Sequence, residues 1–447
     1  MVPPLSDAAL KRDIWRLFFP AFLTLVAEPL FLLADSAIIG HLGTTPLAGL
    51  AVATTVLSTA VGTFVFLAYA TTSVVARNIG AGKINQALHS GVDGIWLALL
   101  LGIATGLFLN IFAAPISGAF GASPAATDQS SIYLQISAWG LPSMLVILAV
   151  TGLLRGFKDT QTPLVASTVA FTANIILNIT FVHGLKMGIA GAACGTVISQ
   201  TGMAIGLVYA SFKTTSGEKI SLKPHLGRVL KAALAGTPLL VRTLALRGVL
   251  LATTWSAAQL GDTTLAAHQL ITSIWTFLMF ALDSLAIAGQ TLVSQDLGAS
   301  ETRKARHTVS LLTRAALRLG LTFSVLTFIA APFVPTLFTP DYNIHTAARA
   351  GLLVIAALQP IAAYAYLLDG ILIGAGDTPW LARTQILLLI SYLPLIFLLI
   401  AFRNGLQAAG PPVSLAALWV IYSIFMAARA ATLHARAHSD TWMITGA

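Results

Sequence analysis

Residues 14–39 read IWRLFFPAFLTLVAEPLFLLADSAII, an apolar stretch long enough to cross a bilayer as one helix, which takes about 20 residues. Inside it lie two prolines, Pro20 and Pro29, and two acids, Glu28 and Asp35. A carboxylate in hydrocarbon is costly, so each acid indicates a functional site. The two acids are seven positions apart, two helical turns, and we expect their shared face to line a bundle interior or a water-filled cavity. Alternatively, the acids only pair with buried donors.

The composition around this stretch indicates an integral membrane protein. Of 447 residues, 57% are hydrophobic and only 9% are charged, which is too little charge to cover a soluble globule. The net charge of +9 lies in short loops without a basic stripe and interleaved aromatics, so nucleic-acid binding is not expected. Cys194 is the only cysteine, which excludes a disulfide within the chain and a cysteine metal cluster.

Hydropathy and helix breakers predict twelve membrane-spanning helices. Their approximate cores are 15–39, 50–76, 90–113, 131–154, 163–183, 189–211, 233–257, 265–294, 307–331, 347–373, 380–402 and 412–433. Lysines and arginines, Arg429 among them, concentrate at the termini and even-numbered connections. The odd-numbered connections hold only Lys186, Arg349 and Arg403. The positive-inside rule therefore predicts that both termini are cytoplasmic.

An internal repeat divides the chain into two halves. Its members are 218 positions apart: Pro20 and Pro238, Leu42-Gly43 and Leu260-Gly261, Gly80 and Gly298, and GLLRGFKDT from Gly152 and GILIGAGDT from Gly370. The polar connection 213–228 separates the copies, so we predict an N-terminal lobe, 1–212, a cytoplasmic linker, 213–228, and a C-terminal lobe, 229–447. Six helices per copy give a parallel repeat, an arrangement typical of alternating-access transporters.

The buried polar residues are not repeated. Asp35 corresponds to Thr253 and Glu28 to Leu246. The second half instead has its own charged set, Arg242, Arg247, Asp283 and Asp369. Two cations and two acids can neutralise each other, so we interpret this set as structural ion pairs inside the lobe.

Helix five carries two amides, Asn174 and Asn178, four positions apart and therefore on one face. An amide can hydrogen-bond a carboxyl group in either protonation state, which makes these residues candidate partners of Asp35 or Glu28. The alternative is a purely structural contact between helices. Single hydroxyls are weaker candidates for the same lining, namely Tyr133, Thr151 and Thr196.

Enzymatic function is not expected. Asp159 and Asp377 stand at helix starts, where an aspartate is an N-cap. GAGD at 374–377 spells an intramembrane aspartyl protease signature, but no second membrane aspartate in a YD context accompanies it. The sequence contains no phosphate-binding loop, so ATP-driven transport is not expected. The spacing of residues around His41 and His268 does not support a metal site.

Together, the twelve spans, the first-helix pattern from Pro20 through Asp35 to GHLG, the paired asparagines and the twin GxxDT turns resemble the multidrug and toxic compound extrusion (MATE) family, DinF-like branch. The resemblance covers essentially the whole chain. It implies export of cationic or amphipathic compounds, with a first helix that bends near its proline, and so it makes Pro20 and Pro29 the hinge.

Carried over by position, the resemblance marks Asp35 as the coupling acid. The expected lining of its cavity is Glu28, Tyr133, Thr151, Asn174, Asn178 and Thr196. Asn178 stands where the branch often has aspartate, and Glu28 stands where a neutral polar residue is more usual, so Glu28 can restore the second acid. Burial favours the neutral form of a carboxyl group, and the two acids would titrate as a coupled pair.

We therefore predict a proton-driven antiporter of the cell membrane. The alternatives are a sodium-coupled relative and a lipid-linked precursor flippase, which usually has two further helices and a cationic cavity. We expect no cofactor besides the coupling ion, small organic substrates, the lipid bilayer as surroundings, and a monomer.

Overall fold

The computed structural model describes residues 7–213, 222–338 and 340–446, with the side chains of Glu28 and Asp440 left out. Most of the predicted linker, residues 214–221, therefore lies outside the described residues. The helices are α1 Asp7–Gly40, α2 Thr44–Thr63, α3 Phe66–Gly80, α4 Ile84–Ile111, α5 Ala113–Gly118, α6 Pro124–Ala138, α7 Leu141–Gly156, α8 Gln161–Ile179, α9 Gly188–Lys213, α10 Leu226–Gln259, α11 Asp262–Gly298, α12 Thr302–Ala330, α13 Val334–Phe338, α14 Tyr342–Gly374, α15 Thr378–Ala401, α16 Arg403–Ala409 and α17 Pro411–His438. A π-helical turn, Thr180–Gly184, extends α8.

The predicted all-helical membrane architecture is confirmed. In the described ranges, 11 helices are long and apolar enough to cross a membrane, or 12 if the bent pair of α6 and α7 is one span. That pair bends by 52°. Its repeat equivalent, α14, is one continuous helix. Both copies keep the proline, Pro142 and Pro360, but Gly140 at the bend corresponds to Leu358, which continues the helix.

Contacts divide the chain into two compact units. The N-unit is Phe19–Thr237, and the C-unit is the chain up to Phe18 together with Pro238–Gly446. The changeover thus falls inside α1 and inside α10, beside the repeated prolines Pro20 and Pro238. The start of each of these two helices therefore belongs to a different compact unit from the rest of the helix.

Repeat anchors in the sequence mark helix ends in the structure. Gly43 precedes α2 with φ 125°, and Gly261 precedes α11 with φ 114°. Residues with a Cβ rarely adopt this conformation, which explains why both copies carry glycine here. Gly80 and Gly298 end α3 and α11.

A second pair of repeated glycines allows close helix packing. A Cβ on Gly152 of α7 would stand 2.5 Å from the carbonyl oxygen of Ala68 on α3. At the equivalent place, a Cβ on Gly370 of α14 would stand 2.6 Å from the carbonyl oxygen of Ala286 on α11. Ala68 and Ala286 are themselves 218 positions apart. Each unit therefore contains the same backbone-to-backbone crossing, which only glycine permits.

The two predicted N-cap aspartates differ. Asp159 does cap α8, accepting from the backbone N–H groups of Gln161 at 3.1 Å and Thr162 at 2.9 Å. The prediction for Asp377 is wrong, because its side chain makes no capping hydrogen bond. It accepts from Arg436 Nε at 2.6 Å and Nη2 at 3.2 Å, since α17 brings the guanidinium within reach and a charge-assisted pair is stronger than a neutral cap.

The repeated glycine crossings give a direct test of packing. Gly152→Val or Gly370→Val should lower the thermal midpoint of the purified protein by several degrees, because overpacking a tight contact costs about 1–3 kcal/mol. Gly206→Val on α9 is the matched control, since a Cβ there meets nothing within 4 Å. Equal midpoints for all three variants in a thermal unfolding assay would contradict the crossing.

Candidate functional site

The carboxyl group of Asp35 lies inside the N-unit, with 2% of the residue exposed. Its partners come from three other helices. Asn178 Nδ2 of α8 donates to Oδ1 at 2.6 Å, and Thr196 Oγ1 of α9 donates to Oδ2 at 3.3 Å. A longer contact, 3.5 Å, joins Tyr133 OH of α6 to the same Oδ2. All three donors are neutral, and among the described residues no cationic side chain pairs with Asp35.

A second set of hydrogen bonds orients these donors. Asn174 Nδ2 donates to Thr196 Oγ1 at 3.0 Å, and Asn178 Nδ2 also reaches Asn174 Oδ1 at 3.4 Å. Both asparagines are completely buried. Asn178 Oδ1 is left as a buried oxygen without a hydrogen-bond partner in the described part of the chain. We call these five residues, Asp35, Tyr133, Asn174, Asn178 and Thr196, the Asp35 cluster.

Gly195 makes the cluster possible, and the sequence analysis did not identify it. A Cβ at position 195 would collide with Asn178 Oδ1. Without a side chain there, α9 approaches α8 closely enough for Thr196 and Asn178 to reach the same carboxyl group. The run GAACGT at 191–196, small residues ending in a hydroxyl, was the available signal.

The other predicted residues of the first half have different positions. Thr151 is 6% exposed on α7, but none of the hydrogen bonds of the Asp35 cluster involves it. Glu28 lies in α1, and its side chain is outside the described residues. Pro20 and Pro29 lie within α1, which continues through both of them.

The helix crossing at Asp35 has an uncharged equivalent in the C-unit. Thr253 Oγ1 and Tyr392 OH lie 2.7 Å apart. These two residues are the repeat equivalents of Asp35 and Asn174. Equivalent pairs of helices therefore meet in different ways. In the C-unit, α10 and α15 meet through a neutral hydrogen bond, whereas in the N-unit α1 and α8 meet through an acid and its amide partners.

The charges of the second half form a buried cluster around Asp369, which is 3% exposed. Arg242 binds both carboxylate oxygens, with Nε 3.1 Å from Oδ1. Arg429 Nη2 is 3.3 Å from Oδ1, and its guanidinium stands 5.1 Å from the ring centre of Tyr366. The other two predicted charges, Arg247 and Asp283, are half-buried.

Arg429 corrects one sequence assignment. We counted it among the basic residues that mark the cytoplasmic side, but it is 1% exposed and lies within α17. Its partner, Asp369, is 60 positions away on another helix, so no local pattern could identify the contact. Arg429 is thus part of the buried charge cluster.

The chemistry available at these sites is ion binding and proton exchange. The described residues contain no group of three or more His, Cys, Asp or Glu side chains that could hold a metal ion. Asp35 can be neutral or negative, whereas arginine stays protonated. Of these two clusters, the Asp35 cluster is therefore the one that can change its charge without breaking an ion pair.

Comparisons with known proteins agree with this arrangement. The MatE family model matches residues 20–180 and 238–398, two stretches with the same 218-residue offset as the repeat. The chain is 31% identical over 437 residues to Protein DETOXIFICATION 44, chloroplastic, of Arabidopsis thaliana, covering 93% of this chain and 80% of that protein. It is 29% identical over 450 residues to the DNA damage-inducible protein F of Escherichia coli K12, covering 96% and 94%.

Among solved structures, a MATE protein in the bent conformation superimposes with a TM-score of 0.86 at 19% identity, covering 97% of this chain and 96% of the other. That likeness shows a shared fold. The family model, which matches both halves of the repeat, and the relatives over nearly the full length show the family. The chain is a multi-pass membrane transporter of the multidrug and toxic compound extrusion (MATE) family, not an enzyme.

Proposed function

We propose that this transporter exports cationic or amphipathic organic compounds in exchange for protons that enter through the Asp35 cluster, by alternating access of its two lobes. The observation that carries the proposal is a buried carboxyl group that has three neutral hydrogen-bond partners and no cationic partner among the described residues. Its charge must be compensated by something that comes and goes. In this proposal a proton and a cationic substrate compensate the charge in turn, and they exclude each other.

Coupling follows from the cost of charge in a dry interior. A protonated Asp35 is neutral and is compatible with a collapsed, water-free cavity. An ionised Asp35 needs water or a cation, so it favours an open cavity and attracts a positively charged substrate. A proton arriving from outside then displaces the substrate. Each charge that crosses the membrane field supplies about 2.3 kcal/mol per 100 mV.

Asn178 can serve both protonation states. Its Nδ2 donates to the carboxylate in the present arrangement, and its own oxygen has no hydrogen-bond partner among the described residues. Rotation of the amide would offer that oxygen to a protonated Asp35, which has become a donor. The amide can thus hydrogen-bond Asp35 in both of its protonation states. An aspartate at position 178 would instead add a second charge to the cluster.

Helix α1 is suited to convert the change of charge into movement. Pro20 and Pro29 each remove one backbone hydrogen bond of the helix. Thr24 adds to this, because its hydroxyl donates to the carbonyl oxygen of Pro20 at 2.8 Å, a contact that tends to bend helices. Straightening or bending here would move Asp35 relative to its donors on α6, α8 and α9.

Sodium is the second candidate ion. Carboxylate, amide and hydroxyl oxygens are the ligands that hard cations prefer, and the Asp35 cluster supplies all three, including the unpartnered Asn178 Oδ1. Proton coupling requires only Asp35 itself. Proton release in sodium-free buffer distinguishes the two ions.

Removing the ionisable group should uncouple transport. Asp35→Asn should abolish drug efflux against a gradient, because the amide cannot exchange a proton. Efflux from intact cells, normalised to the amount of protein in the membrane, measures this. Asp128→Asn, at an exposed aspartate, is the control and should transport normally. Efflux at the wild-type rate by Asp35→Asn would disprove the role of Asp35.

Glu28 is proposed as the second acid of the proton site. Substrate added to purified protein in sodium-free buffer should release protons. Glu28→Gln should release fewer protons, and its transport should depend less steeply on pH. Unchanged proton release and an unchanged pH profile would remove Glu28 from the proton site. Substrate binding that needs sodium and releases no protons would favour the sodium-coupled alternative.

The Asp369 cluster is proposed to be structural. Asp369→Asn should lower the stability of the protein, because breaking a buried ion pair costs about 3–5 kcal/mol. Adding Arg242→Gln should restore part of the lost thermal stability, since one uncompensated charge is removed. The pH dependence of transport per folded molecule should stay unchanged. A stable Asp369→Asn variant that has lost proton coupling would contradict the structural role.

A further inference from the structure

The N-unit contains a groove that shares no lining residue with the Asp35 cluster. It has a volume of about 630 Å³ and is formed by α4, α7, α9 and Leu222. Most of its lining is apolar, with Val208, Tyr209 and Phe212 of α9 along its length. Lys213, the last residue of α9, also lines it. We call it the α9 groove.

The apolar walls of the α9 groove are open to the surroundings of the helix bundle. Ile205 is 65% exposed and Tyr209 is 67% exposed, so the groove opens to the surface rather than to the interior of the unit. The hydroxyl group of Ser143 lies 3.1 Å from that of Thr201. Because its hydroxyl group already has this hydrogen-bond partner, Ser143 does not prevent the groove from binding a hydrocarbon chain.

The length of the groove matches one leaflet of a bilayer. Its α9 wall runs from Ala204 to Lys213, which is about 14 Å along a helix axis. The hydrocarbon of one leaflet is about 15 Å thick, half of a core of about 30 Å. Leu222 is held in the wall by its carbonyl oxygen, which accepts from Trp96 Nε1 at 2.9 Å.

Charge decides which lipid head group fits. The ammonium of Lys213 stands 5.9 Å from the ring centre of Tyr209 and makes no ion pair with a carboxylate of the described residues. Its three N–H donors are therefore available to a phosphate. The predicted orientation places this end of α9 at the cytoplasmic face, where anionic lipids attract basic residues beside membrane helices.

We propose that the α9 groove binds one anionic glycerophospholipid of the cytoplasmic leaflet. One acyl chain lies along α9 against Val208 and Phe212, and the phosphate group lies at Lys213. The site is independent of the Asp35 cluster and of the identity of the coupling ion.

Native mass spectrometry of the full chain in mild detergent tests the site with phosphatidylglycerol and phosphatidylcholine of equal chain length. The wild type should retain phosphatidylglycerol in preference. Lys213→Gln should weaken that preference about fivefold, the contribution of one basic residue near a membrane surface. Lys231→Gln, an exposed lysine at the start of α10 outside the groove, should bind like the wild type. Equal retention of both lipids by the wild type would overturn the proposal.

The place of the acyl chain is tested separately. Val208→Trp should fill the groove and remove the bound lipid, whereas Leu317→Trp on the exposed side of α12 should not. A phosphatidylglycerol with a photoreactive group in its acyl chain should label the peptide that contains Ala204 to Phe212, a result that needs no variant to fold. Labelling confined to other helices, or a groove that accepts lipid only after residues 214–221 are deleted, would overturn the proposal.

Discussion

A carboxyl group that lies inside an apolar helix bundle, without a cationic partner among the described residues, is the constraint on which the N-unit depends. Asp35 cannot remain ionised there without hydrogen-bond donors, because isolated charge in hydrocarbon is costly. Donors on α6, α8 and α9 must therefore converge on one point of α1. That convergence explains why Gly195 lies against Asn178 and why two consecutive turns of α8 carry asparagine. The packing of four helices follows from satisfying one side chain.

The two units share their helix packing but differ in their buried polar residues. Both retain the glycines that allow helices to cross backbone to backbone, and both retain a proline at the equivalent place in their first helix. At the crossing equivalent to that of Asp35, the C-unit has the neutral Thr253–Tyr392 hydrogen bond. Its own acid, Asp369, is the repeat equivalent of Thr151 and pairs with two arginines. The scaffold is thus shared, while the place of the buried acid and its compensation differ.

Much of this could be predicted from the sequence, since hydropathy and a fixed repeat offset are properties of the chain itself. The helices and the repeat follow from such patterns. The pairing of Asp35 with Asn178 is predicted from the spacing of two amides on one helix face, and Thr196 is placed in the same lining by the family resemblance. Other contacts between distant helices do not follow from such patterns. Arg429 reaches Asp369, and Arg436 reaches Asp377, because tertiary packing brings α17 beside the ends of α14 and α15. A capping rule that depends on neighbouring residues alone succeeded at Asp159 and failed at Asp377, where Arg436 of α17 supplies a charged partner.

The pairing of Asp369 has an electrical consequence. Guanidinium groups do not lose their protons in proteins, and two of them favour the ionised form of Asp369, so the charge of the Asp369 cluster should not change near neutral pH. The Asp35 cluster can switch between zero and one negative charge. In a chain with two nearly equivalent halves, the response of the proposed transport to pH would then come from the N-unit alone.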